Sequence, residues 1–513
     1  MNNGKICISI CESTVQNLLS KINRANSISD IVEIRLDCLN TSELDAIRAE
    51  PSAAAQTMGE TLQQITAIES ALPRIITFRP SSQGGCREIP FEERFDLWNG
   101  GVEGHIADVE EDLIEGTFAW LWNDRICSFH DFSGAIVDVR KTFERLFRTG
   151  AGIIKIAVAV NETFDAIPLW QLFRLAKLNN VGLIPIAMGE AGKWTRILGL
   201  AHGAYLTYAA LDTGGETAPG QITAREMIDV FRVKELDEST DVYGIIAGDT
   251  TYTMSPYIHN AAFKATGSNA VFVPLQVRDL ATFMRRMVLP ETREIDLNFR
   301  GFSVTNPHKQ AIVQYVDHVD AAAAKIGAVN TVKIEDGKMH GFNTDAQGFI
   351  APLAAAFGNM NGAKAAVTGA GGAARACIYS LRDAGANVTI LARNTEKATA
   401  LAQEFGVDSK HLTDQLSDFD IVVNATPLGT RGNGENESIA TAEQLRDVKL
   451  VYDLVYNPAE TRLLREAKLA GAQTLGGFEM LMAQAAEQFK IWTGKPAPIE
   501  EMTVAAQKRL NEG

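Results

Sequence analysis

Lys155 stands where an ammonium group is poorly tolerated: it interrupts GIIKIAVAV (152–160), a run otherwise apolar and β-branched. Loss of hydration there favours the neutral amine, the form that attacks a carbonyl and builds a Schiff base. A structural alternative is a lysine paired with a buried carboxylate such as Glu33. His130, near the end of RICSFHD (125–131), lies 25 residues earlier, one strand–helix unit away. That spacing puts the two on neighbouring strands about 5 Å apart. Imidazole beside a protonated imine removes a proton from the adjacent carbon, because the iminium takes up the electron pair. A lone histidine at a strand end would instead be a structural hydrogen-bonder. Glu33, Arg35 and Asp37 alternate along IVEIRLD (31–37) and so point to one face. Arg79, Asp108 and Glu110 sit in or at the ends of further strand-like runs. A second constellation lies downstream, with Lys309 closing GFSVTNPHK (301–309) and Asp345 closing GFNTD (341–345). It is either an ion pair or a pair that passes a proton to an oxygen receiving hydride charge.

Positioning these groups requires strands. Up to residue 232, eight runs alternate with segments of helical period: 5–10, 31–37, 74–79, 104–110, 125–131, 152–160, 182–189 and 203–209. Eight strand–helix units predict a (βα)8 barrel, whose C-terminal strand ends converge on one mouth; an open doubly wound sheet is the alternative. Residues 234–241, KELDESTD, are short, polar and without apparent hydrophobic anchors, and predict a linker. The pattern restarts at VYGIIAG (242–248). In KAAVTGAGGAARA (364–376) an apolar strand runs into Gly369, Ala370, Gly371, Gly372 and Ala373 and then a helix. This is a dinucleotide fingerprint, with glycines for the turn and phosphate approach and a helix N-terminus for the charge; packing alone also selects small residues there. After the next strand, NVTILAR (387–393), stand Arg393, Asn394 and Lys397, with no acid at the strand end. Such cations favour a 2′-phosphate, hence NADP, over solvated surface charge.

Composition narrows the class. The chain has 513 residues, 46% of them hydrophobic, and a net charge of −15. It therefore has room for several domains, and its bulk charge suits neither nucleic acid nor an anionic membrane. No apolar stretch is long enough to span a bilayer, and MNNGKICISIC lacks a signal-peptide layout, which predicts a cytoplasmic protein. Six cysteines at 7, 11, 38, 86, 127 and 377 form no CxxC pair, so reduced thiols and no metal are expected.

EIRLD (33–37), TFRP (77–80) before Gly84-Gly85, SFHD (128–131), KIA (155–157), MGEAG (188–192) leading to Arg196, and APGQ (218–221) together resemble type I 3-dehydroquinate dehydratase. The resemblance implies an imine between Lys155 and the substrate's C3 ketone, His130 as general acid/base, and 3-dehydroshikimate as product. It further implies that Glu33, Arg35, Arg79, Arg196, Thr217 and Gln221 hold the substrate, with Arg196 on its carboxylate, while Asp108 and Glu110 orient His130 and Lys155. Gln83, Thr195 and Thr217 depart from the usual glutamate, serine and serine, and Gln83 bears on lid closure.

MSPYIHN, VTNPHK, GAVNT, FNTD, GAGGAARA, ARNTEK, NATPLG, DLVYNP and FEMLMAQAAEQFKIWTG resemble shikimate dehydrogenase over residues 242–513. The resemblance implies proton transfer by Lys309 and Asp345, and contacts to substrate from Thr253, Ser255, Thr305, Asn330, Tyr456 and Gln484. NADP(H) would lie on the glycine loop, Arg393, Asn394, Lys397 and Gly477. The implied order is a barrel (1–233), a linker (234–241), an α/β substrate domain (242–345, completed by 478–513) and a Rossmann NADP domain (346–477). The fused pair resembles the bifunctional dehydratase–dehydrogenase of the shikimate pathway, known best from plants. Its partners would be the small-molecule substrates alone. Tyr252-Thr253 replaces a usual His-Ser pair and Ser303 a frequent asparagine, so a dehydrogenase half preferring quinate is an alternative. Others are an aldolase-like barrel joined to an unrelated reductase, and a non-catalytic metabolite sensor.

Overall fold

The computed structural model describes residues 2–40, 72–99, 105–113, 125–134, 137–412, 416–432 and 434–512. They form two compact units, one of residues 1–240 with 249–251 and 273–298, the other of 241–248, 252–272 and 299–513.

The first unit carries eight parallel strands: β1 (Lys5–Ile10), β2 (Ile31–Arg35), β3 (Arg74–Thr77), β4 (Ile106–Glu110), β5 (Arg125–Asp131), β6 (Ile153–Ala159), β7 (Gly182–Met188) and β8 (Leu206–Ala209). They are ordered β7-β6-β5-β4-β3-β2-β1-β8. The remaining gap narrows where Tyr205 N donates to Leu183 O at 2.8 Å. This is the near-closed barrel, not the open doubly wound sheet. Helices follow β1 (Val15–Ala25), β3 (Phe91–Asn99), β5 (Val139–Phe147), β6 (Ile167–Asn179) and β7 (Lys193–Leu198). Those expected after β2 and β4 lie outside the described residues.

The strand period of two explains the barrel's interior. Ile31, Ile75, Ile126, Ile153, Ile184 and Leu206 form an apolar floor. Two residues further along, the same inward positions carry Glu33, Thr77, Ser128, Lys155, Ile186 and Tyr208, and two further still come Arg35, Arg79, His130, Ala157 and Met188. One alternation therefore builds a dry base and a charged mouth. Asp37 is a correction: it lies beyond β2 in a tight turn, Leu36–Cys38, rather than in the strand. Its carboxylate still meets Arg35, at 2.8 and 2.7 Å.

The linker also differs from its reading. Leu236 is buried, Asn2 Nδ2 donates to the carbonyls of Val233 and Leu236, and Lys234 pairs with Asp30. Leu236 is thus an anchor, and the segment up to Thr240 belongs to the first unit.

Two sheets follow. One contains β9 (Asp241–Ala247), β10 (Ala270–Gln276), β11 (Phe299–Val304), β12 (His318–Val319), β13 (Thr331–Glu335) and β14 (Lys338–Phe342), in the order β10-β9-β11-β13-β14-β12. Phe489, Trp492 and Met502 of the C-terminal helices (Gly477–Thr493 and Ile499–Glu512) share a core with Tyr243, Ile258 and Phe263. The other contains β15 (Lys364–Thr368), β16 (Asn387–Ala392), β17 (Asp408–His411), β18 (Ile421–Asn424), β19 (Leu450–Asp453) and β20 (Gln473–Leu475). It is fully parallel with order β17-β16-β15-β18-β19-β20, the doubly wound arrangement of dinucleotide-binding domains.

Candidate active sites

One pocket at the barrel mouth is lined by every residue assigned to the first site: Glu33, Arg35, Arg79, His130, Lys155, Arg196, Thr217 and Gln221. Lys155 is 3% exposed, but its amine is not isolated. Nζ lies 2.7 Å from Asp108 Oδ2, 3.6 Å from Glu33 Oε1 and 3.1 Å from Tyr208 Oη. The pairing of the lysine with buried carboxylates, given as the alternative for an amine in an apolar strand, is therefore what strand register builds, with Asp108 rather than Glu33 nearest. Burial opposes ionisation of Asp108, but Arg79 and Lys155 outweigh it and hold the carboxyl well below its ordinary range. Glu33 is likewise lowered against burial, by Lys155, Arg79 and Arg35.

Arg79 ties the site together. Its guanidinium lies 2.7 Å from Asp108 Oδ2, 3.2 Å from Glu110 Oε1 and 2.8 Å from His130 Nε2. Arginine only donates, so His130 Nε2 accepts and the imidazole proton sits on Nδ1. Burial, with Arg79 and Lys155 adding repulsion, pushes the His130 pKa well down, keeping it a neutral base. Among the described residues Glu110 reaches His130 only through Arg79, while Asp108 touches Lys155 directly. Gln83 keeps an anchoring role without the glutamate charge, its Oε1 accepting from His130 N at 2.9 Å. Thr217 N donates to Gln221 Oε1 at 2.7 Å, which holds the loop after β8 over the pocket. Tyr208 was missed as a site residue, although its place two beyond inward-facing Leu206 could have revealed it.

Arg196 is 2% exposed, and its Nε and Nη1 have no hydrogen-bond partner among the described residues. Its one hydrogen bond goes from Nη2 to Pro219 O at 3.3 Å. Burial without a compensating carboxylate pulls its pKa down to about 10. A buried guanidinium with free donors on a pocket wall is built for an incoming anion.

Glu110 carries a pH signature. Burial, reinforced by Asp108 and opposed by Arg79 and Arg94, raises its pKa from 4.5 to about 7. Between those values the folded chain keeps a proton that the unfolded chain has lost, so stability falls as pH rises through this window. Glu110→Gln should remove that slope, worth about 3 kcal/mol at most, in thermal melts taken from pH 4.5 to 7.5.

In the second unit, Asp345 opens the helix Thr344–Phe357, capped by Asn343, whose side chain accepts from Asp345 N at 3.1 Å. Lys309 Nζ pairs with Asp345 Oδ2 at 2.5 Å, and Asn330 Nδ2 donates to Asp345 Oδ1 at 2.8 Å. Thr253 Oγ1 accepts from Ser255 N at 3.3 Å at the start of the helix Ser255–Ala265. Thr305 N donates to Ile246 O, and Gln484 Nε2 to Leu481 O. Tyr456 is partly buried, which raises its phenol. Among the described residues no hydrogen bond joins these five to the Lys309–Asp345 pair. Gln488 was missed: it is buried and bonds Ser303 (2.9 Å), Thr331 (3.1 Å) and His259 (3.1 Å). Burial depresses His259 to about 3, so its ring is neutral. The helical spacing of Gln488 from Gln484 was the available clue.

The glycine loop fits a dinucleotide. Gly369 has φ +103°, a left-handed turn that favours glycine, and Gly371 caps the helix Gly372–Asp383 with open space where a Cβ would stand. A Cβ on Gly372 would lie 3.0 Å from Lys309 Cδ, so the loop adjoins the Lys309–Asp345 pair. Arg393, Asn394 and Lys397 are exposed just beyond β16, and Asn394 caps the next helix. The nearby acid, Glu396, lies in that helix's first turn rather than at the strand end. A Cβ on Gly477 would lie 2.2 Å from Leu454 O, so helix–strand packing accounts for that glycine.

A barrel with a buried lysine, a neutral histidine and an arginine that keeps two nitrogens without a partner among the described residues, joined to a dinucleotide fold with a Lys–Asp pair, defines a lyase–oxidoreductase fusion. Residues 6–238 match the type I 3-dehydroquinase family. Residues 245–332 match the shikimate dehydrogenase substrate binding domain, 353–455 the shikimate / quinate 5-dehydrogenase family, and 477–507 the shikimate 5′-dehydrogenase C-terminal domain. The chain is 33% identical, over 97% of its length and 83% of the relative, to the chloroplastic bifunctional 3-dehydroquinate dehydratase/shikimate dehydrogenase of Arabidopsis thaliana. It is 43% identical to shikimate dehydrogenase (NADP(+)) of Methanocaldococcus jannaschii, covering 54% of this chain and all of that one. A crystal structure of a shikimate dehydrogenase in complex with NADP+ superposes with TM-score 0.50 at 42% identity, over 54% of this chain and 97% of that one. The chain belongs to the family of bifunctional 3-dehydroquinate dehydratase/shikimate dehydrogenases. Among the described residues no helix is long and apolar enough to cross a membrane.

Proposed function

We propose that the barrel dehydrates 3-dehydroquinate to 3-dehydroshikimate and that the second unit reduces this ketone to shikimate. The observation that carries the first step is Arg196, a buried guanidinium with two unpartnered nitrogens in the same pocket as Lys155 and His130. The substrate carboxylate satisfies Arg196 and brings the ketone to Lys155. Asp108, already hydrogen-bonded to Nζ, orients the amine toward the ketone. The amine adds to the carbonyl carbon and water leaves, forming the imine. Neutral His130 then takes the proton from the carbon beside the imine, and the electron pair moves to the iminium nitrogen. The same imidazole returns the proton to the departing hydroxyl, and hydrolysis of the imine releases product and restores Lys155.

In the second unit NADPH, when bound, supplies the hydride. Lys309 donates a proton to the ketone oxygen as it becomes an alcohol. Asp345, fixed by Asn330, holds the ammonium in place. Thr253, Ser255, Thr305, Tyr456 and Gln484 would contact the ring hydroxyls and carboxylate, and Arg393 and Lys397 would hold the 2′-phosphate. Assembled groups at both sites favour this over a sensor, and the relatives' names favour shikimate over quinate. The cytoplasm as its compartment is part of the same proposal, to be decided by cell fractionation, since the plant relative is called chloroplastic.

Arg196→Ala should raise the KM for dehydroquinate about 30-fold or more, because truncating a buried charge partner costs about 2–5 kcal/mol. Dehydratase kinetics check this; an unchanged KM would reassign the carboxylate. Replacing Arg393 and Lys397 with alanine should lower kcat/KM for NADPH about 10-fold or more while leaving NADH turnover nearly unchanged.

A further inference from the structure

Three cysteines far apart in the sequence meet at the barrel rim. Cys11 follows β1, Cys38 ends the turn after β2, and Cys86 lies in the loop after β3. Cys11 and Cys38 form a disulfide, which corrects the expectation of reduced thiols throughout: parallel strands place their C-terminal ends side by side, whatever the sequence separation. Cys86 is free and exposed, with Sγ 3.1 Å from Cys38 Sγ and 3.5 Å from Cys11 Sγ.

We propose that these three sulfurs form a thiol–disulfide exchange site that governs the loop over the dehydratase pocket. The Cys86 thiolate attacks Cys38 Sγ, the new bond joins Cys38 to Cys86, and the Cys11–Cys38 bond breaks. Cys11 leaves as thiolate and takes up the proton that Cys86 gave, so electrons and protons balance without an external oxidant. A small dithiol in solution reduces either disulfide to two thiols and is itself oxidised to a disulfide. A cleft of about 370 Å³ lined by Cys11, Cys86, Lys21 and Arg35 admits such a molecule.

The consequence follows from what the Cys86 loop holds. Cys86 N donates to Asp37 Oδ2 at 3.0 Å, and Asp37 in turn pairs with Arg35. Gly84 O accepts from Arg35 Nη2 at 3.3 Å, and Gln83 anchors the His130 backbone. Gln83 and Gly84 both line the substrate pocket. A Cys38–Cys86 bond therefore straps this loop covalently to the turn after β2 and restricts substrate entry, whereas the Cys11–Cys38 form leaves it held by hydrogen bonds alone. Burial and Asp37 raise the Cys86 thiol against the pull of Arg35 and Arg87, which keeps the exchange slow at rest.

The test uses the full chain, wild type and Cys11→Ser, treated with oxidised glutathione, then alkylated and mapped by mass spectrometry without reduction. Cys11→Ser should accumulate the Cys38–Cys86 peptide pair and lose at least 5-fold in dehydratase kcat/KM, restored by dithiothreitol. Its reduction of dehydroshikimate should stay unchanged, and Cys86→Ser should retain Cys11–Cys38 and full activity under the same oxidation. Three alkylated thiols in oxidised wild type, a stoichiometric bound metal that blocks alkylation, or a Cys38–Cys86 link without change in dehydration would each overturn the proposal. The rate readout rests on the dehydratase assignment and the disulfide map does not. A chain lacking dehydratase activity even when reduced would therefore indict the assignment, and an absent crosslink would indict the exchange site.

Discussion

Lys155→Ala is expected to abolish dehydration of 3-dehydroquinate while NADPH-dependent reduction of dehydroshikimate continues at the wild-type rate. Among the described residues no neighbouring group replaces the lost nucleophile: Asp108, Glu33 and Tyr208 surround the position without an amine among them. Removing the cation also leaves two buried carboxylates facing only the arginines, and breaking a buried pair costs about 3–5 kcal/mol. Lys155→Arg separates chemistry from folding, since it keeps the charge but cannot form the imine. Both variants should be inactive in dehydration, and only the alanine variant should lose thermal stability. Borohydride added with dehydroquinate should tether the ligand to Lys155 by mass mapping. An adduct confined to another lysine would move the nucleophile elsewhere.

Lys309→Ala should act in mirror image, lowering reduction about 10²–10⁴-fold, the range that a positioned proton donor supplies, with dehydration intact. Substrate affinity should change less than turnover, because proton donation matters most as negative charge develops on the ketone oxygen. Asp345→Asn keeps a side chain able to meet Asn330 and Lys309 but removes the charge that holds the ammonium. It should lower kcat more than it raises KM, and Asp345→Glu should restore part of the rate, a rescue that simple loosening of the helix Thr344–Phe357 would not produce. Separate assays of the two half-reactions check both variants, and parallel loss of both activities would contradict independent sites.

Much of the barrel site was legible because its pattern is local. Ile31, Glu33 and Arg35, or Ile153 and Lys155, share a face simply because strand residues alternate, and the floor and mouth follow once the strands run in parallel. The turn at Gly369 and the cap at Gly371 were legible for the same reason, a strand–turn–helix junction being a short-range event. Leu236 was overlooked because polar neighbours masked a single apolar side chain that the barrel buries. Gln488 was overlooked because its hydrogen-bond partners Ser303, Thr331 and His259 come from three distant segments.

Residue type and spacing pointed to the order of modules, to eight strands with inward-facing positions and to most of the groups proposed to do chemistry. Only the tertiary structure decided which of those groups touch. Lys155 meets Asp108, 47 residues away, and Tyr208, 53 away, while Cys38 bonds to Cys11 and lies beside Cys86. Alternation along a strand is set by backbone geometry within a few residues, whereas partners across a barrel depend on the register and closure of strands contributed by the whole chain.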